Sequence, residues 1–299
     1  MVYHEYTTWN SKKQYILFGY LIRRGQLALI RITHQVSRAF DLNDGKETTL
    51  KKIYVVGIGP GAPKMMTPQA RQALEESDVI AGYPVYLKLL GDLVQNKKTI
   101  ATPMTKEEER CRLCFEEAKK GCIASIVCSG DSGVYGMASL MYDLLPEYPG
   151  CELEIIPGIT AAVSGAAVLG APIGHDFCVI SLSDRLTPWE IIEKRLSAAA
   201  DGDFCIAIYN PSSKGRPDYL KRACEILLRK VQQDRMCGYV RNIGREGTEY
   251  KICTLEQLKD EQVDMFTTVF IGNSQSHVVK GKLVTGRNYH INTHMQKEN

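Results

Sequence analysis

The stretch that decides the fold is YVVGIGPGAP at Tyr54–Pro63, where an apolar strand runs directly into a glycine-rich turn. Glycine has no side chain, so a ligand or another backbone can come close to the main chain. Gly57, Gly59 and Ala62 also satisfy G-x-G-x-x-A, a variant of the dinucleotide-binding fingerprint. Three glycines and two prolines in seven residues exceed what a simple strand-to-helix turn requires. We therefore expect a ligand to bind at this turn.

The residues around the turn argue against a dinucleotide as that ligand. The fingerprint needs a helix that opens at once, so that pyrophosphate lies on its N-terminus. Here the prolines interrupt the turn, and a better helix start is Thr67, an N-cap residue followed by Pro68. The next strand, Val79–Tyr83, is not closed by the acidic residue that would hold a ribose. The sequence therefore disfavours NAD.

The composition is that of an ordinary globular protein with room for two domains. The chain has 299 residues, of which 44% are hydrophobic and 24% charged, and its formal net charge is +3. That charge is too small to indicate nucleic acid as a partner. Ten cysteines without a paired pattern indicate reduced thiols and a cytoplasmic location. Cys111 and Cys114 form the only close pair, which we interpret as buried helix positions rather than a metal or redox site.

The first fifty residues differ from the rest. The apolar run Tyr15–Ile22 is too short to span a bilayer and lacks a cleavage site, and Gln26–Thr33 is predicted as a short strand. We expect a leader of unknown role at 1–50, and one hypothesis is that the working protein starts near Leu50. The remaining divisions are an N-terminal α/β domain at 51–157, a C-terminal α/β domain at 158–290 and a polar tail at 291–299.

Short apolar strands alternate with helical segments after the leader, which predicts two α/β domains and a largely parallel sheet in the first. The predicted strands are Ile53–Ile58, Val79–Tyr83, Ile123–Cys128, Glu152–Ile156, Phe177–Ser181, Phe204–Tyr209, Cys237–Val240, Tyr250–Thr254 and Thr267–Ile271. The predicted helices are Thr67–Ser77, Lys106–Lys120, Tyr135–Leu145, Thr160–Leu169, Trp189–Ala200 and Pro217–Gln233. Ligands bind open α/β sheets at the carboxyl ends of strands, and domain junctions are common sites. Five loops stand at predicted strand ends, and each is rich in glycine or small polar residues. These loops are Gly57–Gly61, Cys128–Gly136, Pro157–Ala162, Ala207–Arg216 and Thr267–Asn273.

Several motifs, most of them in these loops, resemble those of one family. They are G-x-G-P-G at 57–61, G-D at 130–131, G-x-T-A at 158–161, H-D-F at 175–177, S-L-S-D at 181–184 and Y-N-P at 209–211. Over roughly residues 53–290 the chain resembles the tetrapyrrole methylases, which use S-adenosylmethionine. The resemblance implies two α/β domains with the active site in the cleft between them, and a homodimer. It also implies methylation of C17 in precorrin-3B or cobalt-factor III with ring contraction, during cobalamin biosynthesis.

The resemblance carries the cofactor site over by position. Thr160 is predicted as a helix N-cap, a ligand contact, or both. No protein-bound metal, nucleic acid or membrane is implied. The residues expected to contact S-adenosylmethionine are Pro60, Gly130, Asp131, Val134, Tyr135, Thr160, Ala161, Asn210 and one of Thr267 and Thr268.

Basic residues near the mouth of the predicted cleft are candidates for binding the substrate, because a corrin precursor carries many carboxylates. An arginine side chain can bind a carboxylate through two parallel hydrogen bonds. Ring contraction needs proton transfers, for which His175 and Asp176 are the candidates. A histidine that is merely hydrogen-bonded at a strand start is an equal alternative. The substrate candidates are Arg110, Lys214, Arg216, Arg241 and Arg245.

Other functions remain open from the sequence. A sister methylase that acts on another corrinoid carbon is the nearest alternative. A methylase for rRNA or protein would keep the same fold, although the net charge gives RNA no support. A nucleotide-binding protein without catalysis is the alternative from a different class.

Overall fold

The computed structural model describes residues 51–287 and 289 in full. Of residues 1–49 it describes only the backbone of five strands, β1 to β5. The predicted tail at 291–299 lies outside the described residues. The strand predicted at Gln26–Thr33 is confirmed as β3. The five strands are β1 (Tyr6–Trp9), β2 (Tyr15–Arg23), β3 (Gln26–Thr33), β4 (Arg38–Phe40) and β5 (Glu47–Thr49).

The first large sheet has five strands in the order β10-β6-β9-β7-β8, and every neighbouring pair is parallel. A parallel sheet must be covered on both faces, and its central strands are accordingly largely apolar and buried. The strands are β6 (Lys51–Gly57), β7 (Val79–Gly82), β8 (Lys98–Ala101), β9 (Ala124–Cys128) and β10 (Cys151–Ile156). The helices are α1 (Pro68–Glu76), α2 (Pro84–Leu89), α3 (Glu107–Lys119) and α4 (Ala138–Leu144).

The second large sheet is mixed, in the order β12-β13-β16-β14-β15. Only β12 and β13 run parallel; the pairs of β13 and β14 with β16, and of β14 with β15, are antiparallel. Its strands are β12 (Phe177–Ser181), β13 (Cys205–Tyr209), β14 (Met236–Arg241), β15 (Glu249–Thr254) and β16 (Thr267–Ile271). Its helices are α5 (Ala161–Leu169), α6 (Trp189–Asp201), α7 (Tyr219–Leu228) and α8 (Leu255–Leu258).

A small sheet completes the second half, formed by β11 (Gly170–Ala171), β18 (Lys282–Thr285) and β17 (Ser276–Val279). Each large sheet has two apolar clusters. In the first half, one packs around Phe115 and Met141 and the other around Leu74 and Ile80. In the second half α6 and α7 pack on one cluster, while α5 packs on the other around Phe270. Both halves therefore have their own core, which confirms the predicted α/β fold.

The predicted elements differ from the structure where local pattern misleads. Thr67 caps α1 as expected, its hydroxyl accepting from the Ala70 N–H at 3.1 Å. The helix predicted from Tyr135 begins only at Ala138, because Tyr135 has a φ of 54° and cannot belong to it. The sequence did not predict α2, α8, β8, β11, β17 and β18. Each of these has six residues or fewer and carries too little periodicity to stand out. No helix within the described residues is long and apolar enough to cross a bilayer.

The cysteines provide a test of this packing. All ten are free thiols, and only Cys122 and Cys178 are partly exposed. Burial raises the pKa of Cys111 to about 12 and that of Cys178 to about 11, so neither is a thiolate at neutral pH. We expect a maleimide to label at most Cys122 and Cys178 quickly in the folded protein, and all ten thiols in urea, as measured by peptide mass spectrometry. Rapid labelling of Cys111 or Cys114 in the folded protein would contradict the fold.

Candidate active site

Three glycines from three loops meet at the carboxyl edge of the first sheet. A Cβ added to Gly158 would lie 2.1 Å from the carbonyl oxygen of Gly130. One added to Gly57 would lie 2.6 Å from the Gly158 nitrogen and 2.9 Å from the same oxygen. Real Cβ atoms do not approach backbone so closely, so the segments at Gly57 and Gly158 require glycine in order to touch their neighbours.

A pair of hydrogen bonds fastens two of these loops together. The Gly59 N–H donates to the Gly130 oxygen at 3.0 Å, and the Gly130 N–H donates to the Gly59 oxygen at 2.8 Å. Both residues have positive φ, 77° and 71°, in the left-handed region that favours glycine. The glycine-rich turn is therefore built to join the neighbouring loop, which explains its glycines without a pyrophosphate.

Asp131 locks the third loop to the second. One carboxylate oxygen accepts from the N–H groups of Gly133 and Val134, at 2.8 and 3.0 Å, and the other accepts from the Gly158 N–H at 2.9 Å. Asp131 is the one predicted cofactor residue that does not line the cleft described below. Its side chain holds the loops that carry the other candidates.

The second sheet supplies the opposite wall. The strands β13 and β14 end at Tyr209 and Arg241, and β16, which runs the other way, begins beside them because Thr267 pairs with Arg241. The wall therefore combines the ends of two strands with the start of a third. This is why Thr267 and Thr268 lie at the cleft although they open their strand.

The two walls enclose a cleft of about 190 Å³. Nine of the ten predicted cofactor residues line it, all except Asp131. Sequence reasoning missed seven further lining residues. The nine are Pro60, Gly130, Val134, Tyr135, Thr160, Ala161, Asn210, Thr267 and Thr268. The seven are Tyr86, Ser129, Tyr209, Asn242, Ile243, Met265 and Phe266.

Tyr209 is the most informative of the missed residues. Its hydroxyl accepts from the Ala162 N–H at 2.7 Å and shares a hydrogen bond with the Thr160 hydroxyl. The Tyr209 hydroxyl thus provides a hydrogen-bond acceptor for a main-chain N–H in the first turn of α5, while the Thr160 side chain accepts no such hydrogen bond. Thr160 is therefore the N-cap residue of α5, as predicted, although its side chain makes no capping hydrogen bond. The signal was present, since Tyr209 opens the Y-N-P motif.

Tyr135 links the two domains. Its hydroxyl donates to the Val179 oxygen at 3.2 Å and accepts from the Ser181 N–H at 3.1 Å. Both groups lie on β12, an edge strand whose outer backbone groups would otherwise be unpaired. The Tyr135 ring also lies 5.6 Å from that of Tyr209. Tyr135 therefore closes one side of the cleft.

Arg245 crosses the cleft from the other side. Its Nε donates to the Pro60 oxygen at 3.2 Å, and one terminal nitrogen donates to the Ser129 hydroxyl at 3.4 Å. Burial lowers the pKa of Arg245, although the group remains cationic at neutral pH. Within the described part of the chain it has no carboxylate partner, so it is available to an anionic ligand. Among the five predicted substrate residues, Arg245 is the one that lines the cleft.

The other basic candidates lie elsewhere. Arg110 is buried and donates to Thr102 and the Pro103 carbonyl, so it organises a loop and its proposed role in substrate binding is withdrawn. Arg241 donates to a main-chain oxygen and pairs with acidic residues at 3.6 and 3.7 Å, and it is not among the residues that line the cleft. Lys214 and Arg216 lie on the loop that follows Asn210.

The structure does not support the predicted catalytic role of His175 and Asp176. Both precede β12, whose far end, Ser181, pairs with Tyr209 at the cleft. Five strand residues span roughly 16 Å, so the pair lies at the opposite edge of the sheet. Both side chains are exposed, and the His175 Nδ1 accepts from the Asp176 N–H at 2.8 Å. The alternative interpretation, a histidine that is merely hydrogen-bonded at the start of a strand, therefore describes His175 better than a catalytic role.

The fold and the cleft place the chain in the class of two-domain α/β proteins that have a glycine-lined ligand cleft between their sheets. The chain belongs to the family Tetrapyrrole (Corrin/Porphyrin) Methylases, whose family model matches residues 52–259.

Individual relatives agree with this assignment. The chain is 42% identical to a probable cobalt-factor III C(17)-methyltransferase of Salmonella typhimurium, over 79% of this chain and 98% of that one. It is 44% identical to the cobalamin biosynthesis protein CbiHC of Archaeoglobus fulgidus over 80% of its residues, but spans only 53% of that longer relative. The crystal structure of the methyltransferase CobJ superposes with a TM-score of 0.74 at 38% identity, covering 78% of this chain and 99% of that one.

The glycine contact can be tested by adding one methyl group. Gly158→Ala forces a Cβ against the Gly130 carbonyl, and the backbone cannot retreat without unpairing strands. We expect a loss of about 3 kcal/mol in the free energy of unfolding, at the upper end of overpacking costs, measured by urea denaturation. The control is Gly215→Ala, where an added Cβ meets nothing within 4 Å. Equal unfolding curves for the two variants would contradict the close approach.

The position of His175 gives a second prediction. Removing a catalytic acid or base costs about 10²- to 10⁴-fold in rate, whereas a side chain at the opposite edge of the sheet has no such role. We expect the rate of any methyl transfer by the wild-type protein to be kept within about twofold by His175→Ala, measured with labelled S-adenosylmethionine and a corrin precursor. A hundredfold loss in kcat with an unchanged melting temperature would return His175 to the mechanism.

Proposed function

We propose that this protein transfers a methyl group from S-adenosylmethionine to C17 of a corrin precursor, precorrin-3B or cobalt-factor III, with contraction of the ring. The activity of the whole protein belongs to this proposal, because the chain spans only about half the length of some relatives. One observation carries the proposal: nine of the ten residues that the family resemblance assigns to the cofactor line a single cleft between the domains.

The lining suits the proposed methyl donor. Thr160 and Asn210 offer a hydroxyl and a carboxamide, and main-chain groups of the glycine loops offer further donors and acceptors. Tyr86, Ile243 and Phe266 provide apolar surface for an adenine ring. When bound, the sulfonium supplies an electrophilic methyl group. The residues of the chain would then bind, orient and exclude water, bringing the reacting atoms to about 3–3.5 Å.

The size of the cleft bears on how the two ligands share it. Its volume of about 190 Å³ is below the roughly 300–1,000 Å³ of typical ligand pockets. We infer that the donor fills the cleft and that the larger tetrapyrrole lies over its mouth. Arg245 inside, with Lys214 and Arg216 on the adjoining loop, would then meet substrate carboxylates.

The finer parts of the proposal have separate support. A cytoplasmic location agrees with ten free thiols, which persist in reducing compartments. The homodimer follows from the resemblance to the family. A net charge of +3 gives no reason to propose nucleic acid as a partner.

The test is incubation of the protein with labelled S-adenosylmethionine and a panel of corrin precursors that includes precorrin-3B and cobalt-factor III. We expect the mass of one of these two to rise by one methyl group, and NMR to place that group on C17. Methylation at another carbon would instead identify a sister methylase. Binding of the donor without transfer to any tetrapyrrole would favour a nucleotide-binding protein.

Site variants connect the activity to the cleft. Tyr209→Phe removes the hydroxyl that holds Thr160 and Ala162, so we expect the Kd for S-adenosylmethionine to rise roughly tenfold, as for one lost hydrogen bond. The matched control is Tyr142→Phe, because Tyr142 is an exposed tyrosine on α4. Isothermal titration calorimetry measures both. Equal affinities would mean that the donor binds elsewhere.

A further inference from the structure

An aspartate lies beside the place where a polyanion is proposed to bind. Asp184 follows β12 and Arg216 follows β13. Because these strands are parallel neighbours, their loops leave the sheet at the edge that carries Asn210 and the cleft. A negative charge on the protein repels a substrate with many carboxylates and weakens its binding. An aspartate at this place therefore needs a compensating role.

Asp184 is held from two sides. The Nε of Arg216 donates to one carboxylate oxygen, and the Tyr219 hydroxyl donates to the other at 2.6 Å. These hydrogen bonds, that of Tyr219 first, lower the pKa of Asp184, which is therefore ionised at neutral pH. Tyr219 is itself fixed, since its ring packs 4.6 Å from that of Trp189 and 5.0 Å from the Arg222 guanidinium.

This arrangement leaves one edge of Arg216 available to a carboxylate. Asp184 accepts from Nε, while the two terminal nitrogens have no other carboxylate partner within residues 51–287 and are not enclosed, although the guanidinium lies 5.9 Å from the centre of the Tyr219 ring. The side chain is about one quarter exposed. A guanidinium held at Nε presents its terminal N–H groups in a fixed direction, which suits a carboxylate.

We propose that Asp184, held by Tyr219, is a positioning residue that fixes the guanidinium of Arg216 so that its terminal nitrogens receive a carboxylate of the tetrapyrrole. The inference rests on the proposed function and names the device that orients its substrate. If charge repulsion were the main effect of Asp184, removing its charge would strengthen substrate binding. The positioning role predicts weaker substrate binding instead, so the two can be distinguished.

The decisive variant is Asp184→Asn, which removes a negative charge and keeps the shape. We expect the Kd for cobalt-factor III, titrated without methyl donor and followed by visible absorbance, to rise roughly tenfold, as for one lost charge-assisted hydrogen bond. The Kd for S-adenosylmethionine stays unchanged. Unchanged or tighter binding of cobalt-factor III would overturn the proposal, because repulsion would then be the larger effect.

A double variant separates positioning from a general disturbance. Arg216→Gln removes the group that is positioned, so Asp184→Asn should add no further loss on that background. Tyr219→Phe should weaken cobalt-factor III binding by a smaller factor than Asp184→Asn. If Asp184→Asn still costs its full factor without Arg216, Asp184 does not act through the guanidinium.

The matched control is Asp203→Asn. Asp203 pairs with Arg235 at 2.9 Å and also accepts from Ser274, but it follows α6, near the start of β13 and the opposite edge of the sheet. We expect this variant to lower the melting temperature without changing cobalt-factor III affinity. An equal loss of affinity in both variants would mean that destabilisation explains Asp184→Asn.

The titrations also separate this inference from the proposed function. Wild-type binding of cobalt-factor III without methyl transfer would remove the proposed activity and leave the positioning test valid. Methyl transfer at C17 together with unchanged binding by Asp184→Asn would retain the activity and remove the inference.

Discussion

The structure depends on the close approach of three backbone segments at Gly57, Gly130 and Gly158. A side chain on Gly57 or Gly158 would place an atom 2.1 to 2.9 Å from a neighbouring main-chain atom. These segments continue three strands of a parallel sheet, so the loops cannot separate without disturbing strand pairing. The hydrogen bonds between Gly59 and Gly130 then turn separate loops into one wall. The glycines that resemble a nucleotide cradle are first a condition of the fold.

The second wall reaches the first through a few polar side chains. Tyr135 extends from the first domain to the edge strand of the second, and Arg245 extends back to Pro60 and Ser129. The same side chains line the cleft. The contacts between the domains and the lining of the cleft therefore share the same side chains. The tyrosine hydroxyls serve this purpose well, because one hydroxyl both donates and accepts.

At the mouth of the cleft, the availability of a basic side chain depends on its hydrogen-bond and carboxylate partners as well as on its charge. The chain carries a small net charge, so a polyanionic ligand such as the proposed tetrapyrrole would be attracted by the local placement of cations. Arg110 and Arg241 are engaged by the fold, whereas Arg245 has no carboxylate partner among the described residues. Arg216 has one at its Nε, and its terminal nitrogens have no other carboxylate partner in that part of the chain. The direction in which each guanidinium faces therefore distinguishes these residues better than their charge does.

The sequence by itself determined most strands of the two large sheets, the glycine loops and the cofactor candidates. Strand pattern and glycine requirement are local properties, and Phe177–Ser181 and Thr267–Ile271 were predicted to the residue. It did not determine which end of a strand faces the cleft, or which charges are already paired. His175 was misplaced because it lies close to the cleft in sequence but at the opposite edge of the sheet. Only strand direction and long-range contacts decide such matters, and these form when the chain is folded.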